Sequence, residues 1–311
     1  MLRQEVAQPG FELQAGAIAR PERGLLATVS DYVALTKPRI IVLLLVTTLP
    51  AMIIAHDGMP SPWLVLLTLV GGALAAGGAN AINCYLDRDI DGMMARTRER
   101  PLPAGSVEPE EALLFGISLG VIAFAVLVAG VNLPSAVLAM TALAFYVFVY
   151  TIWLKRSSPQ NIVIGGAAGA MPPLVGWAAV TGGLDWPALA LFAIIFLWTP
   201  PHFWALALRY RSDYARAGVP MLPVVRGEEE TNRQILLYSV PLVAASLMLV
   251  PLAGMGPLYL AAAVALGGGF IALAFRLWRH PRPQASRALF LYSLVYLGLL
   301  FAAMGVDRLL A

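Results

Sequence analysis

Residues 63–92 read WLVLLTLVGGALAAGGANAINCYLDRDIDG. The part from 63 to 83 contains no charged side chain, and a helix of about 20 apolar residues is long enough to cross a lipid bilayer. The part from 84 to 92 then brings three aspartates into one short polar segment. We therefore expect a membrane-spanning helix that ends in an acidic segment at one membrane surface.

The whole chain shares the apolar character of this stretch. Of its 311 residues, 59% are hydrophobic and 13% are charged, and the mean hydropathy is +0.76. Soluble domains carry about 25% charged residues, so the composition excludes an ordinary soluble protein and a disordered chain. The single Cys84 excludes an internal disulfide and a cysteine-based metal site. In a membrane protein a net charge of +3 does not indicate nucleic-acid binding, and no nucleic-acid partner is expected.

Hydropathy predicts an all-α, polytopic membrane protein whose apolar runs are each close to spanning length. The nine runs cover residues 40–56, 63–83, 112–132, 135–154, 161–181, 187–208, 235–253, 256–275 and 288–306. Glycines recur within the runs, as at Gly77, Gly78, Gly165 and Gly166. Small residues let helices approach closely in lipid, so they indicate either helix packing or the wall of a ligand cavity.

Positive charge alternates between the connections. Every Lys and Arg except Arg308 lies in the N-terminal segment or in the second-to-third, fourth-to-fifth, sixth-to-seventh and eighth-to-ninth connections. Because cytoplasmic loops carry an excess of Lys and Arg, this pattern predicts a cytoplasmic N-terminus and a C-terminus on the far side. Residues 1–38 lack the apolar core of a signal peptide and are predicted to form a cytoplasmic tail, with the transmembrane domain at 39–311.

The acidic segment is a candidate metal site. Asn83, Asp87 and Asp91 are spaced at i, i+4 and i+8, which places all three on one face of a helix, with Asp89 on the other side. Two carboxylates and an amide, without His or Cys, suit a hard cation such as Mg²⁺ that also binds substrate phosphate. The alternative is a solvated helix end that pairs with Arg88, Arg96 or Arg100. Like charges at i, i+4 repel without a counter-ion, which favours the metal site.

Basic residues are predicted to gather around the same membrane surface. Arginine guanidinium groups suit bidentate contacts to phosphate. The candidates are Arg96 and Arg100 in the second-to-third connection and Lys155 and Arg156 at the end of the fourth run. For any single one of them, a role in setting topology is an equally good interpretation.

A second polar cluster follows the sixth run, with Pro200, Pro201 and His202 inside apolar sequence and Arg209 shortly after. Two prolines should kink the helix and free backbone carbonyls. An ionisable side chain within a membrane segment is a functional candidate. For His202 the alternative is a neutral imidazole bonded to a neighbouring helix.

These motifs resemble a known family. Asn83-x₃-Asp87-x₃-Asp91-Gly92, followed by Arg96-Thr97 and Arg100-Pro101, is similar to the first signature of the UbiA-type intramembrane prenyltransferases. Further motifs resemble the branch that farnesylates protohaem. They are Leu35-Thr36-Lys37-Pro38-Arg39, Gly165-Gly166-Ala167-Ala168-Gly169 to Pro172-Pro173-Leu174, Thr199-Pro200-Pro201-His202-Phe203-Trp204, and Asp213-Tyr214 to Pro220-Met221-Leu222-Pro223-Val224. The similarity runs from about residue 30 to the C-terminus.

The resemblance implies a nine-helix bundle around a central cavity and a Mg²⁺-dependent transfer. The farnesyl group of farnesyl diphosphate would pass to a vinyl group of protohaem, with water supplying a hydroxyl and diphosphate leaving. It implies a bacterial cytoplasmic (inner) membrane location with the active site facing the cytoplasm. The resemblance allows one of two protein partners, a haem A synthase or an assembly partner of a terminal oxidase. The alternative is the same chemistry on another aromatic or tetrapyrrole acceptor.

The resemblance also implies roles for individual residues. Asn83, Asp87, Asp91 and Lys155 would be catalytic, and His202 would contact or ligate haem. The metal would be held by Asn83, Asp87, Asp91 and Asp213, and the diphosphate by Arg96, Arg100, Lys155, Arg156 and Arg209. Many relatives carry Asp-x₃-Asp after the sixth helix, whereas here Asp213 is followed at that spacing by Ala217. Asp213 therefore either binds metal through water or orients Arg209 or Arg211.

Two other classes of protein are less consistent with the sequence. A transporter should show repeat symmetry and charges near the bilayer midplane, whereas these polar groups lie at the ends of the runs. A purely structural assembly factor for a haem enzyme would not need the aspartate stripe.

Overall fold

The computed structural model describes residues 24–311, and within that range the chain is built of helices. Nine helices are long and apolar enough to cross a membrane, and we number these spans in chain order. They are Pro38–His56, Pro62–Leu86, Pro109–Gly130, Leu133–Ser157, Asn161–Thr181, Trp186–Arg209, Gly227–Ala253, Pro257–Arg279 and Pro283–Leu310. The prediction of nine apolar spans is therefore confirmed.

Four shorter helices lie outside the spans. They are Leu25–Thr36, Arg88–Met93, Arg211–Arg216 and Leu222–Val225. The first of these falls within the predicted N-terminal tail, so the last part of that tail is helical, while residues 1–23 lie outside the described part. The tail and domain boundary at residue 38 stays a prediction.

The seventh span begins two turns earlier than hydropathy indicates. It starts at Gly227 rather than 235, and its first turn carries Glu228, Glu229 and Glu230. Acidic side chains at a helix N-terminus are stabilised by the helix dipole. The helix therefore continues into polar sequence that a search for apolar runs does not detect.

Close approach of the backbones holds neighbouring spans together. The second and third spans meet where a side chain on Gly78 would lie 2.6 Å from the carbonyl oxygen of Gly116. In the same way, a Cβ on Gly165 in the fifth span would lie 2.3 Å from the ring of Tyr150 in the fourth. These contacts favour the packing role of the glycines. A central cavity among the spans stays a prediction.

The two ends of the bundle differ in charge. At one end Arg308 donates a hydrogen bond of 2.9 Å to Asp57, and the buried Asp307 accepts from the backbone amides of Gly256 and Tyr259 at the start of the eighth span. At the other end lie the start of the first span and the second-to-third, fourth-to-fifth, sixth-to-seventh and eighth-to-ninth connections. The remaining described Lys and Arg residues lie in these connections or in the span ends next to them. We call this second end the basic end.

Candidate active site

Three oxygen-bearing side chains lie at the basic end of the second span. The helix reaches Leu86, Asp87 caps it, and the short helix Arg88–Met93 continues the chain. Backbone hydrogen bonds from Asp87 to Asn83 (2.9 Å) and from Asp91 to Asp87 (2.8 Å) keep the i, i+4 spacing across the break. Asn83, Asp87 and Asp91 are all buried, with at most 2% exposure. The helix end is therefore not solvated, but Asp91 does pair with Arg100, as the alternative interpretation predicts.

The fourth span presents a matching pair of side chains to this triad. Thr151 accepts a hydrogen bond of 3.0 Å from Asn83 Nδ2, and Lys155 Nζ donates to Asp87 Oδ2. Residues 145–154 form wider helical turns, in which the backbone amide of Lys155 bonds five residues back to Tyr150. Such turns often occur at functional sites because they turn side chains out of the regular α-helical register.

Lys37 approaches the triad from the junction between the N-terminal helix and the first span. Its Nζ donates a hydrogen bond of 2.6 Å to Asn83 Oδ1. The backbone of Lys37 has a left-handed φ of 54°, a conformation that costs a residue other than glycine roughly 1 kcal/mol. Burial lowers the pKa of the Lys37 ammonium, and the nearby carboxylates of Asp91 and Asp87 act in the opposite direction.

Asp91 is held by residues of the second-to-third connection. Arg100 donates a hydrogen bond of 2.7 Å to Asp91 Oδ2, and Thr97 donates one of 2.9 Å to the Asp91 backbone carbonyl. Burial alone would lower the pKa of the Arg100 guanidinium, but the Asp91 carboxylate more than offsets this and the pKa is raised. Arg100 therefore stays charged beside Asp91.

Asp89 lies outside the triad and pairs with Arg156. Both guanidinium nitrogens of Arg156 donate to Asp89 at 2.7 Å. This hydrogen bonding lowers the pKa of Asp89 to about 2. One nitrogen also lies 3.8 Å from Asp87 Oδ1, so Arg156 bridges the exposed carboxylate and the buried one.

The other predicted phosphate ligands lie around one aromatic ring. The guanidinium groups of Arg96 and Arg209 each lie 5.7 Å from the ring centroid of Tyr210. Burial raises the pKa of Tyr214, and the nearby Arg96 guanidinium acts in the opposite direction. Within residues 24–311 neither arginine makes an ion pair, so both remain available to an anion.

The second polar cluster packs against the first through apolar contacts. Ile90 and Met94 of the second-to-third connection share a buried cluster with Tyr214, Val219 and Met221 of the sixth-to-seventh connection. Asp213 is 8% exposed and pairs with Arg216. The prediction that Asp213 orients Arg209 or Arg211 is therefore wrong. Arg216 lies three residues further along the same short helix, and Arg211 pairs instead with Glu228 at 3.3 Å.

His202 lies buried between the sixth and ninth spans. Its Nδ1 is 2.6 Å from Ser293 Oγ. Its ring stacks on Trp198, with centroids 4.2 Å apart, and on Phe290 at 4.8 Å. The imidazole is therefore bonded to a neighbouring helix, as the alternative interpretation of His202 predicts. Within the described chain the second ring nitrogen makes no hydrogen bond, so it is available to a ligand.

One atom of the triad has the properties of a cation ligand. Asp87 Oδ1 is buried and has no hydrogen-bond partner, and the Arg156 nitrogen that lies 3.8 Å from it is beyond hydrogen-bond distance. Within residues 24–311 no three His, Cys, Asp or Glu side chains converge as a metal cluster. The two carboxylates nevertheless fit Mg²⁺, which commonly takes one or two carboxylates and completes its shell with water and phosphate. The Asn83 amide oxygen accepts from Lys37, and its Nδ2 faces Asp87.

The UbiA prenyltransferase family model matches residues 44–300. The chain belongs to the UbiA prenyltransferase family. A protoheme IX farnesyltransferase from Gloeobacter violaceus is 58% identical over 301 residues, which covers 96% of this chain and 99% of that protein. Another, from Saccharopolyspora erythraea, is 56% identical over 296 residues and covers 94% of this chain and 93% of that protein.

Solved structures show the same fold at low sequence identity. A digeranylgeranylglyceryl phosphate synthase structure has a TM-score of 0.76 at 18% identity, covering 92% of this chain and 100% of that one. A UbiA homologue from Archaeoglobus fulgidus bound to DMAPP and Mg²⁺ has a TM-score of 0.63 at 19% identity, covering 90% of this chain and 99% of that one. At this identity the likeness establishes the fold.

Several residues of the site were missed as site residues from the sequence. Thr151 lies four residues before Lys155, so its place on the same face was available from spacing. Lys37 belongs to one of the motifs that carry the resemblance, but nothing local indicates its contact with Asn83. The partners of Asp89 and Tyr214 depend on how the connections fold over the bundle, which no local pattern indicates.

Proposed function

We propose that the chain transfers the farnesyl group of farnesyl diphosphate to a vinyl group of protohaem, giving haem O and diphosphate. The bond between farnesyl C1 and the diphosphate oxygen breaks, and C1 bonds to the terminal vinyl carbon. Water adds its oxygen to the other vinyl carbon and releases a proton. The names of the relatives described above, which align over nearly their whole length, support this choice of substrates.

The buried triad is the observation that carries the proposal. It places two carboxylates and an amide beside Lys155 and Arg100, at one end of an otherwise apolar bundle. A diphosphate is polar and a farnesyl chain is apolar. A site at the boundary between a charged end and an apolar interior suits a molecule with both parts.

We propose that Asn83, Asp87 and Asp91 hold Mg²⁺, with Asp213 contributing from the second cluster through water. When bound, Mg²⁺ would neutralise charge that develops on the leaving diphosphate. The unpartnered Oδ1 of Asp87 supports this assignment. Lys37 keeps the Asn83 amide oriented, since it donates to Asn83 Oδ1 while Asn83 Nδ2 donates to Asp87.

The basic side chains divide into two groups in this proposal. Lys155, Arg100 and Arg156 pair with the carboxylates, so they would position these groups and contact the diphosphate as it binds. Arg96 and Arg209, which make no ion pair in the described residues, would bind the terminal phosphate directly. Donors already in place stabilise a developing charge without reorganisation.

The apolar interior would hold the farnesyl chain and exclude water. Water that reached farnesyl C1 would compete with the vinyl group for the carbocation-like centre. Tyr146 and Tyr150 of the fourth span stack with ring centroids 5.3 Å apart, and they would flank the farnesyl chain next to the triad.

For His202 we propose a contact with haem through Nε2. Ser293 bonds Nδ1 and thereby orients the ring, as the outer partner of a metal-binding histidine does. Trp198 and Phe290 stack on the imidazole and Phe203 packs perpendicular to it at 5.1 Å, so a ligand would reach Nε2 along the remaining part of the ring edge.

The difference in charge between the two ends supports a proposal for the orientation of the protein in the membrane. We propose that the basic end, and with it the active site, faces the cytoplasm of a bacterial inner membrane, with the C-terminus on the opposite side. Haem O would pass to a haem A synthase or to an assembly partner of a terminal oxidase.

The test is a reconstituted reaction. The purified protein in lipid is incubated with haem B, farnesyl diphosphate and Mg²⁺, and the haems are separated by chromatography and weighed by mass spectrometry. The proposal predicts a more hydrophobic haem whose mass has increased by one farnesyl group and one hydroxyl. Its absence from a sample whose protein is shown to be folded would contradict the proposal.

A further inference from the structure

A cavity of about 780 Å³ lies at the basic end, between the last turn of the eighth span and the first turns of the ninth. Its wall includes Arg276, His280 and Arg282, with Leu273 and Ala288 further along the two spans, away from the connection. None of these residues belongs to the candidate active site. The cavity therefore needs its own explanation.

The charge of the cavity is of one sign. The side chains of Arg276 and Arg282 make no hydrogen bond or ion pair within residues 24–311, and both are exposed. No Asp or Glu occurs between residues 231 and 306. Two guanidinium groups without a counter-ion around one cavity predict an anionic ligand.

The backbone adds to this preference. The ninth span begins at Pro283 without a side-chain cap, and Gln284 in its first turn lines the cavity. The N-terminus of a long helix favours an anion through its free amides and its dipole. The N-terminus of the ninth span therefore adds to the attraction that the two arginines exert on an anion.

Trp278 indicates the depth of the cavity in the membrane. It is 40% exposed, and the Arg279 guanidinium lies 5.9 Å from its ring centroid. Tryptophan is enriched at the level of lipid headgroups. The arginines of the neighbouring turn therefore lie at headgroup level, while Leu273 and Ala288 extend from them toward the apolar bilayer.

We propose that this cavity binds an anionic phospholipid, with its phosphodiester between Arg276 and Arg282 and the upper part of its acyl chains along Leu273 and Ala288. The volume is larger than a phosphate ion needs and accommodates the phosphate together with its glycerol. Basic pockets between helices at the cytoplasmic surface commonly bind such headgroups. The apolar wall distinguishes this site from one for free phosphate.

The experiment measures lipid binding directly and does not depend on enzyme activity. The full-length protein in a neutral detergent is titrated with phosphatidylglycerol or phosphatidylcholine, and bound lipid is counted by native mass spectrometry. We expect a clear preference for phosphatidylglycerol. The double variant Arg276→Gln with Arg282→Gln should weaken that binding by roughly 10-fold or more.

A matched control separates a built site from general attraction of charge. Arg279 ends the eighth span and Arg287 lies in the second turn of the ninth. Neither lines the cavity, so Arg279→Gln with Arg287→Gln removes the same charge elsewhere. We expect this double variant to lose less than about three-fold in affinity. Equal losses in the two double variants, or equal binding of the two lipids, would overturn the proposal. Displacement of the lipid by an equimolar amount of inorganic phosphate or haem B would also overturn it.

Discussion

Lys155 Nζ donates a hydrogen bond to Asp87 Oδ2, and this contact joins the fourth span to the second at the basic end. Asp87 is fully buried, and its other oxygen, Oδ1, has no hydrogen-bond partner. Lys155 thus holds one oxygen of the carboxylate by a hydrogen bond, whereas the other oxygen has only the longer contact of 3.8 Å to Arg156. A carboxylate with one oxygen fixed by the protein can offer its other oxygen to a cation in a defined position.

Replacing Asp87 with asparagine keeps the size of the side chain and removes its charge. We expect Asp87→Asn to lower turnover by roughly 100-fold or more, because the proposed cation loses a charged ligand. The measurement is haem O formation in the reconstituted assay. Asp89→Asn is the matched control, since Asp89 is exposed and lies outside the triad, and it should retain activity within a few-fold. Similar losses in the two variants would contradict a special role for Asp87.

Lys37 is predicted to act as a positioning residue through Asn83. Lys37→Met removes the donor to Asn83 Oδ1 and should lower the affinity for Mg²⁺ by about 10-fold, in the range seen for outer partners of metal ligands. The measurement is the Mg²⁺ concentration for half-maximal activity, read together with farnesyl diphosphate KM. Arg39→Met removes a nearby exposed positive charge and should leave both unchanged. An unchanged Mg²⁺ dependence in Lys37→Met would show that the contact has no such role.

The ion pair between Asp89 and Arg156 should depend on pH only in strong acid. The folded-state pKa of Asp89 is about 2, below the value of about 3.9 expected in an unfolded chain. A lowered pKa gives stability that is complete above roughly pH 4 and is lost as the pH falls through about 2.

The measurement for this pair is the thermal unfolding midpoint of the natural protein and of Asp89→Asn in detergent. The difference should be small, because exposed ion pairs contribute at most about 1 kcal/mol. It should be the same at pH 7 and pH 5 and smaller at pH 3. A difference that already shrinks between pH 7 and pH 5 would contradict the lowered pKa.

His202 can be tested apart from its hydrogen bond to Ser293. His202→Ala removes the imidazole and should weaken haem binding by about 10-fold or more, with a shift of the Soret band. Ser293→Ala leaves the imidazole and removes one hydrogen bond, so its effect should stay within about five-fold. Both are measured by spectroscopic titration with haem B. Equal effects with an unchanged Soret band would assign His202 a purely structural role.

Close packing of the second and third spans predicts a stability effect at Gly78. A side chain there would meet the carbonyl oxygen of Gly116, and backbone cannot move aside as a flexible side chain can. Gly78→Val should destabilise the protein by about 1–3 kcal/mol, measured by thermal unfolding in detergent. Gly72→Val is the control, because a Cβ at Gly72 meets nothing within 4 Å. Equal destabilisation of the two variants would contradict this account.

The parts of the structure that were predictable from sequence depend on short-range periodicity. Nine spans follow from the length of the apolar runs, and the alignment of Asn83 with Asp87 and Asp91 follows from their spacing. The start of the seventh span was misplaced because a polar first turn gives no hydropathy signal.

The rest of the site depends on contacts between distant segments. Ser293 lies 91 residues from His202, and Lys37 lies 46 residues from Asn83. Such pairs are set by the way the spans pack, and no single segment carries that information. The pairing of Asp213 with Arg216 is local, because Arg216 lies three residues further along the same short helix. Residues three apart face each other on a helix whereas Asp213 and Arg211, two apart, do not, so the spacing could have indicated this pair.

The binding of a non-transferable analogue of farnesyl diphosphate tests the central claim most directly. Affinity is measured by calorimetry, with and without Mg²⁺, for the natural protein and for Asp87→Asn. The account predicts that Mg²⁺ tightens binding by roughly 10-fold or more in the natural protein and has little effect in the variant, because the triad holds the cation that meets the diphosphate. The same gain from Mg²⁺ in both proteins would show that the cation binds elsewhere and would contradict the account.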